Sequence, residues 1–203
     1  MSALNVQDFT TEASMANVRG SRFVTVLAVA LLGGFVVLTS GTSFGQEKHK
    51  ISWSTKAENT KYTFQHNLDI PDIAGHILRM NESRVTWPDG GGPVVEGQKV
   101  AEEIARVIAD YIAGNGPGRG YSVWRFENGD QSFGQFQFTL QTVVSPDRSR
   151  KSIYVGTYVT TGGTGRMKGI KGLGRYSGRT EFDADGKATR AEYSAEGEYW
   201  FEK

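Results

Sequence analysis

The stretch KATRAEYSAEGEYWFEK, residues 187–203, alternates along almost its whole length. Ala191, Tyr193, Ala195, Gly197, Tyr199 and Phe201 fall on one phase, and Arg190, Glu192, Ser194, Glu196, Glu198 and Trp200 fall on the other. Successive side chains of a strand point to opposite faces, so this pattern predicts a strand with one acidic, solvated face and one apolar face. The apolar phase mixes small and large residues, the arrangement that fills the tapering interior of a small closed barrel. The run is also long against a typical strand of about 5–6 residues. Long twisted strands without a protected edge favour closure over a flat sandwich.

Turn signals upstream divide the chain into further strands. Asp185-Gly186 separates GRYSGRTEFD from the last strand. Ser145-Pro146-Asp147 separates SFGQFQFTLQTVV from KSIYVGTYVTT, and Pro cannot donate to a central ladder. Asn128-Gly129 sits between YSVWRFE and SFGQFQFTLQTVV, and this dipeptide tolerates the positive φ angles of a tight hairpin. Five consecutive strands with short connections imply neighbours in space as well as in sequence. Further upstream ISWST, KYTFQHNL and GHILRMNESRVTW read as strands, broken at Ile70-Pro71-Asp72 and again at Pro88 to Pro93. The expected fold is therefore mainly β: a single antiparallel closed β-barrel of about eight strands. One helix at most interrupts it. Val100, Ile104, Val107, Ile108, Tyr111 and Ile112 fall at helical spacing among good helix formers, which predicts a helix over about 99–112, ended by Asn115-Gly116-Pro117-Gly118. A barrel strand over the same segment is the competing reading, because a meander has a natural place for one.

The other end of the chain bears on where the protein works. Arg19 and Arg22 precede the apolar run FVTVLAVALLGGFVVL, which leads into Ser43-Phe44-Gly45. A basic region, an apolar region and small residues before a cleavage point make an export signal over residues 1–45, cut after Gly45, with Met15 as a more usual start. An uncleaved anchor is the alternative, and both readings place the rest of the chain outside the cytoplasm, periplasmic or extracellular. The membrane is then contacted only through this segment. Residues 46–203 are of a size that suits one β-barrel domain.

Composition removes several classes of function. The chain has no Cys, which rules out disulfides, thiolate catalysis and Cys-ligated zinc. Its formal net charge is +1, against the dense positive surface that a phosphate-backbone binder needs, so no nucleic-acid partner is expected. The glycine-rich segment from Gly162 to Gly174 has neither dinucleotide-loop nor phosphate-loop spacing, since Lys168 and Met167 stand where Gly is required. It reads as a loop crossing one end of the barrel, and no cofactor is expected. Of the three histidines, His66 and His76 flank the Pro71 turn; a metal would need Asp69 or Asp72 as a third ligand, and turn histidines with ordinary partners are the simpler reading. No metal site is assigned. Glu192, Glu196 and Glu198 share one face at period two and read as solvated exterior rather than an acid/base pair. The cluster Arg166, Lys168, Lys171, Arg175 and Arg179 is followed by Glu181, Asp183 and Asp185, which suits a charge-balanced surface.

The stretch from Asn115 to Lys203, with YSVWRFENGD, TGGTGRMKGIKGLGRYSG and AEGEYWFEK, resembles exported bacterial proteins related to the allene oxide cyclase and dirigent barrels. The resemblance implies an eight-stranded antiparallel barrel with a central apolar cavity, often trimeric in the plant relatives. It transfers no reaction: the plant cyclases use a cavity cysteine, which this chain lacks, and the shared motifs are framework.

Function is then expected to be the binding of a small apolar molecule in the barrel cavity, with an isomerase or cyclase acting on such a molecule, or a structural role with a solid core, as alternatives. Catalysis is the less favoured reading because no pair of titratable groups is placed inside. Trp124, Phe136, Phe138, Tyr193 and Tyr199 lie on the less polar phase of their strands and are the expected ligand-binding lining. In KSIYVGTYVTT, Ile153, Val155 and Val159 alternate with Tyr154, Gly156 and Tyr158, so neither face is polar and both need cover. The barrel interior covers one. A second subunit or the helix would cover the other.

Overall fold

The computed structural model describes residues 46–185 and 187–202, so the export signal read at residues 1–45 lies outside the described residues. Ten strands follow in order: β1 (His49–Lys56), β2 (Thr60–Asp69), β3 (His76–Thr86), β4 (Val94–Val95), β5 (Gln98–Ile112), β6 (Gly116–Phe126), β7 (Gln131–Val144), β8 (Arg150–Gly163), β9 (Ile170–Phe182) and β10 (Ala188–Phe201). Two single 3-10 turns, Ala57–Asn59 and Gly165–Met167, join β1 to β2 and β8 to β9. The protein is mainly β, and all pairings are antiparallel. The sheet runs β1-β10-β9-β8-β7-β6-β5-β3-β2, with the two-residue β4 attached to β5.

The expected helix over 99–112 is not formed; the segment is the strand β5. Glu103, Ala105, Val107, Ala109 and Tyr111 pair with inward residues of β3, while Ile104, Arg106 and Ile108 face out with their partners. β5 is hydrogen-bonded along both edges, to β3 and to β6. Helix propensity is worth only a few tenths of a kcal/mol per residue, and two complete ladders with matched side-chain faces outweigh it. This segment and the short β4 also account for ten strands in place of about eight. The sheet is not closed either: among the described residues β1 pairs only with β10, and β2 only with β3.

The sheet nevertheless curls. Trp53 on β1 and Trp124 on β6 stand five places apart in the strand order, which in a flat sheet would separate them by about 24 Å. Their ring centroids are 4.9 Å apart, edge to face. The concave face so formed carries the aromatic residues, and many of them lie over a glycine of the neighbouring strand: Phe138 over Gly118, Phe136 over Gly120, Tyr154 over Gly178. This is the physical meaning of the small-large alternation, since a ring on one strand occupies the space that a neighbour's side chain would need.

One end of the concavity is filled. Trp53, Trp87, Val95, Val100, Phe126, Met167, Ile170, Ala195 and Tyr199 form the buried core there. Met167, which the glycine-rich connection carries across this end, has no exposed surface at all. The chain after β3 is latched to β1 by Trp87, whose Nε1–H donates to Thr55 Oγ1 at 3.0 Å and to Ser54 O at 3.2 Å. Tyr199 Oη fastens the next turn by donating to Glu96 Oε1 at 3.1 Å. Replacing Trp87 by Phe keeps most of the apolar volume but leaves Thr55 Oγ1 without its donor. The expected cost is about 1–2 kcal/mol, read as a lower urea midpoint at unchanged slope.

Candidate ligand-binding interior

Toward the other end of the concavity the packing changes. Tyr154 on β8, Tyr176 on β9 and Tyr193 on β10 form a layer, with centroids 6.2 Å apart for Tyr154 and Tyr176, 5.8 Å for Tyr176 and Tyr193, and 6.4 Å for Tyr154 and Tyr193. Phe138 meets Tyr154 at 6.3 Å and Phe136 meets Tyr176 at 6.2 Å. These five rings are half-buried, whereas Trp53, Ala195 and Tyr199 of the filled end are buried. Burial raises the hydroxyl pKa of Tyr154, Tyr176 and Tyr193 above its ordinary value, so all three are neutral donors and acceptors at physiological pH.

Glu103 lies on the inward phase of β5, opposite Trp124 of β6. Desolvation pushes its carboxyl up to about 7, opposed in part by a hydrogen bond from Trp124. Its negative charge adds to the upward shifts of Tyr154, Tyr176 and Tyr193. A carboxyl that titrates near neutrality inside an aromatic concavity can hold a proton, exchange one, or receive a positively charged group. Trp53, which meets Trp124, also packs on Tyr158 at 5.6 Å, and among the described residues both Trp53 Nε1 and Tyr158 Oη are buried without a hydrogen-bond partner.

All five residues expected to line the interior do face the concave side, but not at one place. Phe136, Phe138 and Tyr193 join the tyrosine layer, Trp124 bridges Glu103 and Trp53, and Tyr199 is built into the filled end. Glu103 was missed because the helix reading gave it no inward direction. The alternation Glu103, Ala105, Val107, Ala109, Tyr111 was present in the sequence and, read as a strand, puts the carboxyl inside. Tyr154 and Tyr176 were visible on the same phase as the glycines of their strands.

The other candidates have partners on the outer surface. Glu192 pairs with Arg179 and Arg190, Glu196 with Arg175, and Glu198 with Lys48. The same contacts neutralise much of the basic cluster, together with Lys171 and Glu202 at 3.5 Å. His66 on β2 is exposed and sits opposite Met80, apart from His76. His76 is clamped between two carboxylates, Nδ1 at 2.6 Å from Asp72 Oδ1 and Nε2 at 2.8 Å from Asp110 Oδ1, which raises its pKa. With a carboxylate on each side of the ring, the imidazole ties the Pro71 turn to the end of β5. Among the described residues no group of three His, Asp or Glu converges as a metal site. A groove of about 840 Å³ lies on the convex side between Leu78, Ile108, Arg119 and Val155.

Comparison of the chain with protein-family models, with curated proteins and with solved structures gives no match.

Proposed function

We propose that the protein is exported and binds a small, largely apolar molecule against the tyrosine layer of its concave face, the curled sheet acting as the barrel that the resemblance to the allene oxide cyclase and dirigent proteins implies. The observation that carries this reading is the contrast between the two ends of the concavity: one solid, the other lined by partly accessible aromatic rings that carry a few hydroxyls. Apolar walls with a few convergent polar atoms are what a small-molecule site requires. The seam between β1 and β2 supplies the entrance, since among the described residues no strand pairs with the free edge of β2. Native mass spectrometry of protein purified from its own host tests the reading. A co-purifying lipid-like mass that persists in Tyr193→Phe supports it, and an interior that takes up no added apolar probe refutes it.

Isomerisation or cyclisation of such a molecule is a second reading, favoured by Glu103. A carboxyl near its midpoint at neutral pH is suited to moving a proton between two carbons of a bound substrate. Turnover of the co-purified compound, lost in Glu103→Gln, would establish that reading over simple binding.

The convex face points to self-association. Val155 on β8 is 58% exposed, and Ile153 and Val159 of the same strand and Leu173 on the adjoining β9 are exposed with it. With β5 inside the sheet no helix covers them, and a second copy of the chain is the proposed cover. Light scattering of the purified protein is expected to give a multiple of the protomer mass; a strict monomer at high concentration removes this partner.

A further inference from the structure

His76 is held at both ring nitrogens by carboxylates from different parts of the fold. Nδ1 lies 2.6 Å from Asp72 Oδ1 in the loop between β2 and β3, and Nε2 lies 2.8 Å from Asp110 Oδ1 on β5. A carboxylate only accepts, so both contacts are hydrogen bonds only when both nitrogens carry protons and the ring is an imidazolium. Among the described residues neither aspartate has a second ion-pair partner. The other charged groups nearby are Asp69, which lines the cleft at the loop, and Arg119 of β6, which lines the convex groove with Asp110; Arg79 of β3 lies over Tyr62 instead. Loss of one proton breaks the symmetry of the clamp, because a neutral imidazole keeps a single N–H and turns a lone pair toward the other carboxylate. Asp110 stands in a strand, opposite Leu78 of β3. Asp72 stands in the 70–75 loop, where Pro71 has no N–H to donate and where the backbone is tied to the turn after β5 through Ala113 N–H and Gly75 O at 3.0 Å. The aspartate on the loop is the one free to leave.

We propose that Asp72, His76 and Asp110 form a proton-operated latch: with the ring doubly protonated it pins the 70–75 loop to β5, and on deprotonation Nε2–H stays with Asp110 while Asp72 and the loop come away. The loop follows the end of β2, the edge strand beside the seam, and sits at the end of β3 opposite Trp87 and the filled core. The latch therefore sets how firmly that corner of the open end is held, whether or not the interior takes a ligand. The direction of the switch follows from the two bonds. Those to Asp72 and then Asp110 raise the His76 pKa above its ordinary 6.5, and the bond from His76 lowers that of Asp72. A raised group gives its full stabilisation below the unfolded value and loses it as pH climbs through the folded one. The latch is closed at pH 6 and opens on the alkaline side.

Two measurements on the purified full chain test the latch. In proton NMR the His76 Cε1–H signal, assigned by its loss in His76→Gln, should titrate with a midpoint above 6.5, and the Ile73 methyl signals should move with the same midpoint. Thermolysin cleavage within the loop, normalised at each pH to a free peptide of the same sequence, should rise at least about fivefold from pH 6 to pH 9, because proteolysis tracks local opening. Asp72→Asn separates a latch from a merely structural contact. Its side-chain amide can accept from Nδ1–H or donate to a bare Nδ1, so the loop should stay closed at both pH values while the ring still titrates. In His76→Gln the normalised cleavage should no longer depend on pH. A His76 midpoint at or below 6.5, equal normalised cleavage of the unaltered protein at pH 6 and pH 9, or an unchanged alkaline rise in Asp72→Asn overturns the inference.

Discussion

Replacing Glu103 by Gln is expected to stabilise the protein by about 2–3 kcal/mol at pH 8.5 and to leave it nearly unchanged at pH 4.5. The sign follows from the direction of the shift. The carboxyl moves from an ordinary 4.5 up to about 7 in the folded protein, with desolvation as the leading cause. Between those values the folded state binds the proton that the unfolded state has released, so stability declines as pH rises through the window and the full penalty is present above it. Gln carries no charge, retains a carbonyl oxygen for the Trp124 indole, and escapes the penalty. Urea unfolding at the two pH values measures the difference directly. The His76 clamp contributes equally to parent and variant and cancels from the comparison. Equal midpoints for the two proteins at pH 8.5 would mean that Glu103 is solvated, and the interior site would lose its central group.

Gly197→Ala is expected to act in the opposite direction, costing about 3 kcal/mol or preventing folding. Gly197 lies on the concave phase of β10, and a Cβ there would meet Leu173 O, Tyr158 Oη and Gly174 Cα. Two of these are backbone atoms of β9, which the ladder to β8 holds in place, so the strain cannot be relieved by turning a side chain. Gly162→Ala provides the control: a Cβ at that position meets nothing within 4 Å, and its backbone is not in the left-handed region. Thermal melts of the two variants should differ by several degrees, about 4 °C or less for each kcal/mol in a domain of this size. Similar melting temperatures would show that the interior is loose enough to take added methyl groups.

The parts of the fold legible in the sequence were those fixed by local chemistry. The hairpins β6–β7, β7–β8 and β9–β10 occur where Asn128-Gly129, Pro146 and Asp185 mark turns, because turn residues act through their own φ preferences. The alternation in β10 reads correctly because one of its faces is acidic and solvated while the other is packed. In β5 the same alternation was masked: apolar residues occur on both faces, and Ala, Glu and Arg carry a helical preference that two neighbouring strands override. Glu103 was hidden with it, since a residue's direction is known only once the period of its segment is known. Trp87 and Met167 were not legible as core residues. Both sit in connections rich in Gly or Pro, and their burial depends on contacts with β1 and β10 that lie far away in sequence. The seam between β1 and β2 is likewise a property of the whole sheet rather than of either strand.

The position of β1 in the strand order sets a sequence of events for folding. From β5 to β10 every strand pairs with the next along the chain, so that part of the sheet can grow one hairpin at a time with short loops to close. β1 has no such neighbour: His49 meets Tyr199, and Lys56 meets Glu192. The strand must therefore wait until β10, the last of the described strands, has docked on β9. The loop closed at that step spans almost the entire domain, which places it late and makes it slow relative to the hairpins. Until it happens Trp87 has no Thr55 to bind and the filled end of the concavity lacks Trp53. Loss of the final strand thus costs more than its own ladder: it also leaves β1 without a partner and the core without its seal.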